Sequence, residues 1–183
     1  MLKNKNPWKI TDTAVVYDNN WISLSEHKVI NPSGKNGIYG IVHFKNYAIG
    51  IVALDAHQNI YLVGQYRLAI DAYSWEIPEG GGDLNIPPLD SAKRELLEET
   101  GLKALEWKEI LRMHLSNSVS DELSIIYLAT GLQQLTPEPE ETEQLQIKKI
   151  PFAEAYEMVL NGNITDAISV AAILKIKNLP LKF

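Results

Sequence analysis

The stretch that decides the fold reads Arg94-Glu95-Leu96-Leu97-Glu98-Glu99-Thr100-Gly101-Leu102. Apolar residues recur here at helical spacing, and Gly101 stands where a helix C-cap is expected, so we predict a helix from Pro88 to Thr100. The three glutamates are three and four residues apart, which places their carboxylates on one face of that helix. Such a face is either a solvated acidic surface or a site for a hard divalent cation, which prefers oxygen ligands.

The segment before the helix decides between these interpretations. Trp75-Glu76-Ile77-Pro78-Glu79-Gly80-Gly81 is predicted to be a strand that runs into a backbone-exposing loop, and Gly80 lies fourteen residues before Arg94. Together the two segments resemble the Nudix box, whose pattern is G-x5-E-x7-R-E-U-x-E-E-x-G-U with U aliphatic. The matched positions are Gly80, Arg94, Glu95, Leu96, Glu98, Glu99, Gly101 and Leu102. The resemblance favours the cation-binding helix.

One fixed position of the box differs. The family has its first glutamate where this chain has Ile86, followed by two prolines. In the family that glutamate supports the loop and the neighbouring arginine. Another residue must therefore hold the loop, and Asp83 is the candidate. The partner of Arg94 is the interaction that this change puts in question.

Further segments extend the resemblance over nearly the whole chain. Gln65-Tyr66-Arg67, the Glu76–Gly80 segment and the Gly162–Ala167 segment are similar to the ADP-ribose pyrophosphatase branch of Nudix hydrolases. The resemblance implies an α/β fold, the Nudix α/β/α sandwich with a mixed central sheet and an N-terminal antiparallel strand region. It implies one Nudix domain over residues 1–183, with 1–46 at a homodimer interface and 47–183 as the core.

The hydrophobic pattern predicts further strands and helices. We expect antiparallel strands within Ile10–Leu54, a hairpin of Ala48–Leu54 and Ile60–Gln65, and strands at Trp107–Leu115, Leu123–Ala129 and Leu145–Ile150. Two more helices are predicted, Pro151–Leu160 and one running from a Thr165 cap to about Lys177. A mixed sheet with helices on its faces is the natural layered arrangement for this order of elements.

The family resemblance implies the metal site and the catalytic residues. Its metal ligands correspond to Glu95, Glu98, Glu99 and the backbone carbonyl of Glu79, and Glu95 and Glu99 also count as catalytic. The cation would be Mg²⁺, which Mn²⁺ can replace. A later acidic loop, which is otherwise a typical solvated loop, provides the remaining carboxylates. It supplies Glu143 as a further ligand and Glu141 as general base, with Glu140 as a rival for that role.

The resemblance also implies a set of substrate-binding residues, namely Trp21, Arg67, Glu76, Gly81 and Glu122. Arg67 would grip a phosphate or ribose, although an ion pair at a sheet edge is the alternative. Trp21 would stack on the nucleobase, and a core or interface position is its alternative. Glu122 would contact the sugar, or else be an exposed loop acid. Ser116-Asn117-Ser118 replaces the usual Ser-Pro-Gly, which favours a broader substrate range than ADP-ribose alone.

Composition restricts the partners. A formal net charge of −6 and a pI near 5.2 disfavour nucleic acid and anionic membranes as partners. The absence of cysteine excludes disulfides and thiolate chemistry, and no apolar run is long enough to span a bilayer. We therefore expect a soluble, cytoplasmic protein.

These observations predict a Mg²⁺-dependent pyrophosphohydrolase that cleaves nucleoside diphosphate sugars, such as ADP-ribose or GDP-mannose, to a nucleoside monophosphate and a sugar phosphate. Two other interpretations stay open. One is a dinucleoside polyphosphate or RNA-cap pyrophosphohydrolase, although a long RNA would want a basic groove. The other is a nucleotide-sugar sensor that binds without turnover.

Overall fold

The computed structural model describes residues 5–135 and 145–180. The chain divides into two compact units. The first unit lies within Met1–Asn46 and also includes the segment Ser116–Glu122. The second lies within Tyr47–Leu115 and Leu123–Phe183.

The first unit is a three-stranded antiparallel sheet, as the N-terminal pattern predicted. Its strands are β1 (Lys9–Asp18), β2 (Ile22–Ile30) and β3 (Asn36–Phe44), in the order β1-β2-β3. The turn between β2 and β3 is made by Asn31, whose side-chain oxygen accepts hydrogen bonds from Ser33 and Lys35 backbone N–H groups. The segment Ser116–Glu122 adds to β3 through a parallel bridge between Val42 and Ser120.

The second unit contains two sheets and three helices. Its strands are β4 (Asn46–Ala53), β5 (Asn59–Arg67), β6 (Ala72–Glu76), β7 (Glu79–Asp83), β8 (Leu102–His114), β9 (Leu123–Gln134) and β10 (Gln146–Pro151). Its helices are α1 (Pro88–Thr100), α2 (Phe152–Leu160) and α3 (Ala167–Lys177). One sheet has the order β7-β4-β9-β8 and is mixed, because β4 and β9 are parallel; the other has the order β10-β5-β6. None of the helices in residues 5–135 and 145–180 has the length and apolar character needed to cross a membrane.

Both faces of the mixed sheet are buried. On one face, Ile49 and Ile51 of β4 pack with Ile125 of β9 against Leu96 of α1. On the other face, alternate residues of the same strands pack in a second cluster with α2 and α3. This explains why β4 and β9 are continuous apolar runs. The predicted fold class, helices on both faces of a mixed sheet, is confirmed.

The helix predictions hold, with one correction. The helix α1 spans Pro88–Thr100 as expected, and Gly101 ends it at φ +68°, a conformation that favours glycine. The helix α3 is capped by Asp166 and not by Thr165. The Asp166 carboxylate accepts a hydrogen bond from the Ser169 backbone N–H at 2.7 Å, which a residue one position earlier does not do.

The predicted hairpin of Ala48–Leu54 and Ile60–Gln65 is wrong. The strands exist, but β4 lies in the mixed sheet and β5 in the other sheet, so that they share only an isolated bridge between Leu54 and Ile60. Since both edges of β4 are taken by β7 and β9, no edge is left for β5. The turn held by the Asp55 carboxylate carries the chain from one sheet to the other.

The glycine-rich stretch that was predicted as a loop is the strand β7. A β-carbon on Gly82 would lie 2.8 Å from Cγ1 of Ile49, so the missing side chain lets β7 approach β4 closely. The loop follows β7 and leads into α1 at Pro88.

The positions of the core residues predict that a leucine-to-alanine substitution destabilises the protein much more at a buried site than at an exposed one. Leu96 is fully buried in α1, whereas Leu105 of β8 is 71% exposed. Leu96→Ala should lower the free energy of unfolding by about 2–5 kcal/mol, and Leu105→Ala by less than about 0.5 kcal/mol. Urea unfolding followed by tryptophan fluorescence measures both. Equal losses would show that α1 does not pack on the sheet as described.

Candidate active site

The site is built around the short turn between β6 and β7. Glu76 ends one strand and Glu79 begins the next, so that both side chains start close together. The turn is held by its backbone: Ile77 N–H donates to the buried Ser169 hydroxyl at 2.9 Å, and the Pro78 carbonyl accepts from Ile51 N–H at 2.8 Å. Helix α3 and strand β4 therefore fix the position of both glutamates.

Arg67 binds both glutamates. Its Nε lies 3.0 and 3.1 Å from the two carboxylate oxygens of Glu76, and its Nη2 lies 2.9 Å from Oε1 of Glu79. Burial lowers the pKa of the guanidinium, but the hydrogen bonds and charge of Glu76 outweigh it and raise the pKa above its usual value. The ion pair that sequence reasoning kept as an alternative for Arg67 is present.

Glu79 lies in a strongly negative environment. Burial raises its pKa well above the usual value, the negative charges of Asp166, Glu76 and Glu99 raise it further, and Arg67 offsets only part of this. One of its oxygens, Oε2, is buried with no hydrogen-bond partner among the described residues. Glu79 is thus a buried acid that lacks a full set of compensating donors.

The acids of α1 reach the same turn from the opposite side. The Glu79 backbone N–H donates to Oε2 of Glu99 at 3.0 Å. The carboxylate of Glu95 lies directly on Gly80, where a β-carbon would overlap its carboxyl carbon. Only glycine leaves room for this contact, which explains the glycine at the start of the box.

Arg94 orders the outer acids of the helix. It donates to Glu98 at 2.6 Å, to Glu95 at 2.5 Å and to the Gly81 carbonyl at 2.9 Å. In the following loop, the Asp83 carboxylate accepts hydrogen bonds from the backbone and side chain of Asn85. The loop is held by Asp83, and Arg94 has three hydrogen-bond acceptors although residue 86 is isoleucine.

A family model described as the NUDIX domain matches residues 45–171, which is more than half of the chain. The chain belongs to the Nudix family. A second model, the N-terminal domain of nucleoside diphosphate sugar hydrolases, matches residues 8–42 of this Nudix protein. That match falls on the three-stranded sheet of the first unit.

Relatives of the Nudix protein include pyrophosphatases. It is 39% identical over 132 residues to an ADP-ribose pyrophosphatase of Mycobacterium tuberculosis, and the match covers 70% of this chain and 64% of that protein. It is 28% identical over 160 residues to an ADP-ribose pyrophosphatase of Bacillus subtilis, covering 86% of each. A crystal structure of an ADP compounds hydrolase has the same fold, with a TM-score of 0.85, 19% identity and coverage of 96% of this chain and 95% of that one.

The remaining predicted residues belong to other parts of the chain. Trp21 and Glu122 belong to the first unit of the Nudix protein. Trp21 is 66% exposed, which excludes a core position within this chain. Glu140, Glu141 and Glu143 lie outside the described residues. The sequence pattern assigns no role to Asp166 or Ser169, because their function depends on contacts with a turn some ninety positions earlier. The family resemblance of the Gly162–Ala167 segment was the signal that could have pointed to Asp166.

The oxygen donors of the Nudix protein fit a hard divalent cation. Within residues 5–135 and 145–180, no three carboxylates or imidazoles already form a closed metal-binding group. However, Glu95 is seated on Gly80, Glu99 is buried beside Glu79, and Oε2 of Glu79 is buried with no donor in the described part of the chain. A divalent cation among these carboxylates would offset their mutual repulsion.

The raised pKa of Glu79 predicts a pH-dependent stability difference. Because the folded pKa is higher than the unfolded one, the unfolded chain releases this proton first, and stability is lost as pH rises above about 4.3. Glu79→Gln has no such proton to lose. The free energy of unfolding of the variant minus that of wild type should therefore increase between pH 5 and pH 7.

Urea unfolding in EDTA at both pH values measures the difference. Glu154→Gln, the same substitution at an exposed site on α2, controls for the loss of one carboxylate. A wild-type advantage over Glu79→Gln that grows with pH would mean that Glu79 is stabilised as an anion.

Proposed function

We propose that this Nudix protein is a divalent-metal-dependent pyrophosphohydrolase that cleaves nucleoside diphosphate sugars to a nucleoside monophosphate and a sugar phosphate. The observation that carries the proposal is the cluster of carboxylates at the β6–β7 turn, where Glu99 is buried, Glu79 is nearly buried and Glu95 lies against Gly80. The pyrophosphatase relatives and the matched N-terminal domain support the same class of substrate.

The proposed metal is Mg²⁺, which Mn²⁺ can replace. Glu95, Glu98, Glu99 and the backbone carbonyl of Glu79 would hold it, together with Glu143 outside the described residues. Such a cation neutralises phosphate charge and lowers the pKa of a bound water. Glu141 is proposed to accept a proton from the attacking water; like Glu140, its rival, it lies outside the described residues.

Five residues are proposed to bind the substrate. Arg67 remains 38% exposed, so its guanidinium can bind a phosphate while Glu76 and Glu79 orient it. Glu76 then acts on the substrate through Arg67, and the backbone of Gly81 borders the same cluster. Trp21 is proposed to stack on the nucleobase and Glu122 to contact the sugar. A broad range that includes ADP-ribose and GDP-mannose is expected.

A homodimer is also proposed. The strand β1 lies at the edge of its sheet and is exposed along its whole length. It carries Val15 and Val16, which are 66% and 56% exposed, and Ile10, which is 59% exposed. Exposed apolar side chains on an edge strand are typical of a surface that a second copy covers. A cytoplasmic location is proposed with it.

The proposal is tested with a panel of ADP-ribose, GDP-mannose, UDP-glucose, ADP-glucose and diadenosine polyphosphates. Phosphate released after a coupled phosphatase is measured with Mg²⁺ and with EDTA. Wild type should turn over several diphosphate sugars only with metal, and Glu99→Gln should lose about 100-fold or more in kcat because a buried metal-binding carboxylate is gone.

Each result that contradicts the proposal indicates a different function or mechanism. Turnover confined to diadenosine polyphosphates would replace the sugar substrates by dinucleoside polyphosphates. Tight binding of a diphosphate sugar without any product would show that the protein is a nucleotide-sugar sensor and not an enzyme. Turnover that persists in EDTA would show that catalysis does not require a divalent metal.

Gly80→Ala separates the geometry of the cluster from folding. The three atoms nearest to a β-carbon there form the carboxyl end of the Glu95 side chain, which must rotate away, so the free energy of unfolding should fall by no more than about 1 kcal/mol. The displaced carboxylate should nevertheless lower kcat by at least about tenfold. Gly40→Ala is the matched control, since a β-carbon at Gly40 meets nothing within 4 Å. Wild-type kcat in Gly80→Ala would show that the position of Glu95 is immaterial.

A further inference from the structure

A chain of hydrogen bonds crosses the first unit from its edge strand to the segment Ser116–Glu122. Its members come from every strand of the sheet and from the segment, and they are Thr13, His27, Ser25, His43 and Asp121. The successive distances are 2.8, 2.9, 2.9 and 2.6 Å. Ser25 and His27 are buried, whereas His43 and Asp121 are partly exposed.

The carboxylate end sets the direction of its hydrogen bond with His43, and the other directions follow when both imidazoles are neutral. Burial raises the pKa of Asp121, but the hydrogen bonds from His43 and from Phe44 N–H lower it more, so the group is an anion that only accepts. His43 must then donate from Nδ1, which leaves Nε2 of the neutral ring as an acceptor for the Ser25 hydroxyl. The Ser25 oxygen in turn accepts from Nε2 of His27.

The chain ends consistently at the edge strand. With its proton on Nε2, neutral His27 has Nδ1 free to accept, and the Thr13 hydroxyl donates to it. Every donor meets one acceptor. The Asp121 carboxylate thereby fixes the Nδ1–H tautomer of a neutral His43, and the Ser25 hydroxyl matches that tautomer because it can donate to Nε2.

Asp121 fastens the segment Ser116–Glu122 to β3. Its two oxygens accept from the His43 ring and from the Phe44 backbone, and its own N–H donates to the Val42 carbonyl at 3.3 Å. Val42 N–H donates to the Val119 carbonyl at 2.8 Å. In the chain, the segment lies between β8 and β9.

We propose that His43 is a positioning residue for the substrate: through Asp121 it holds Glu122, the next residue, in place for the sugar of the diphosphate substrate. This rests on the proposed function and on the role of Glu122 in it. His43 does not touch the reacting atoms. Its effect is on substrate binding, and Ser25 supports it through a hydrogen bond to Nε2 of the ring.

Two variants of one residue test the proposal. His43→Ala removes the donor to Asp121, and the KM for the preferred diphosphate sugar should rise about tenfold while kcat stays within about twofold. His43→Asn keeps an N–H donor near the position of Nδ1 and should restore KM to within about threefold of wild type. Ser25→Ala should raise KM by less than His43→Ala. His57→Ala, in an exposed loop of the second unit, is the control.

Hydrogen exchange read by mass spectrometry supplies a readout that needs no substrate. In His43→Ala, amides of 116–122 should exchange about tenfold faster, and those of 47–115 should be unchanged. Faster exchange with unchanged KM overturns the positioning role. Equal losses in kcat and stability without rescue by asparagine also overturn it. An inactive wild type with faster exchange in the variant means that the proposed function has failed while the anchor stands.

Discussion

The contact between the carboxylate of Glu95 and the bare backbone of Gly80 is the constraint on which the site depends. Because no side chain stands between them, α1 can lie directly on β7. This closeness brings Glu99 to the Glu79 backbone N–H and places Arg94 within reach of the Gly81 carbonyl. A glycine in one strand therefore determines how three acids of a helix are presented.

The same closeness has an electrostatic cost. Glu76, Glu79 and Glu99 are all buried or nearly so, and Asp166 adds its charge from the start of α3. In the described part of the chain, Arg67 pairs with Glu76 and Glu79, and Arg94 pairs with the neighbouring Glu95 and Glu98. They orient the carboxylates but do not remove the repulsion, as the raised pKa of Glu79 shows. We propose that a divalent cation completes this cluster.

Local patterns predicted the parts of the structure that local physics determines. The helix α1 follows from its periodicity and its capping glycine, and the acids on its face follow from their spacing. The hairpin failed because β4 finds its partners in β7 and β9, which no local pattern reveals. The Arg67–Glu76 pair, the Ser169–Ile77 bond and the His43–Asp121 bond join residues that only the folded chain brings together. The glycines of β7 predict a loop because glycine is common in loops. In the structure they allow a strand to pack closely against its neighbours.

The central claim is that the carboxylates of α1 and the β6–β7 turn form a divalent-cation site. Titration of Mn²⁺ followed by electron paramagnetic resonance, without substrate, tests it most directly in wild type and in the Glu95→Gln/Glu99→Gln double variant. The account predicts saturable binding to wild type and an affinity at least about tenfold weaker in the variant, a loss of about 1.4 kcal/mol or more. Equal binding to both proteins would contradict it.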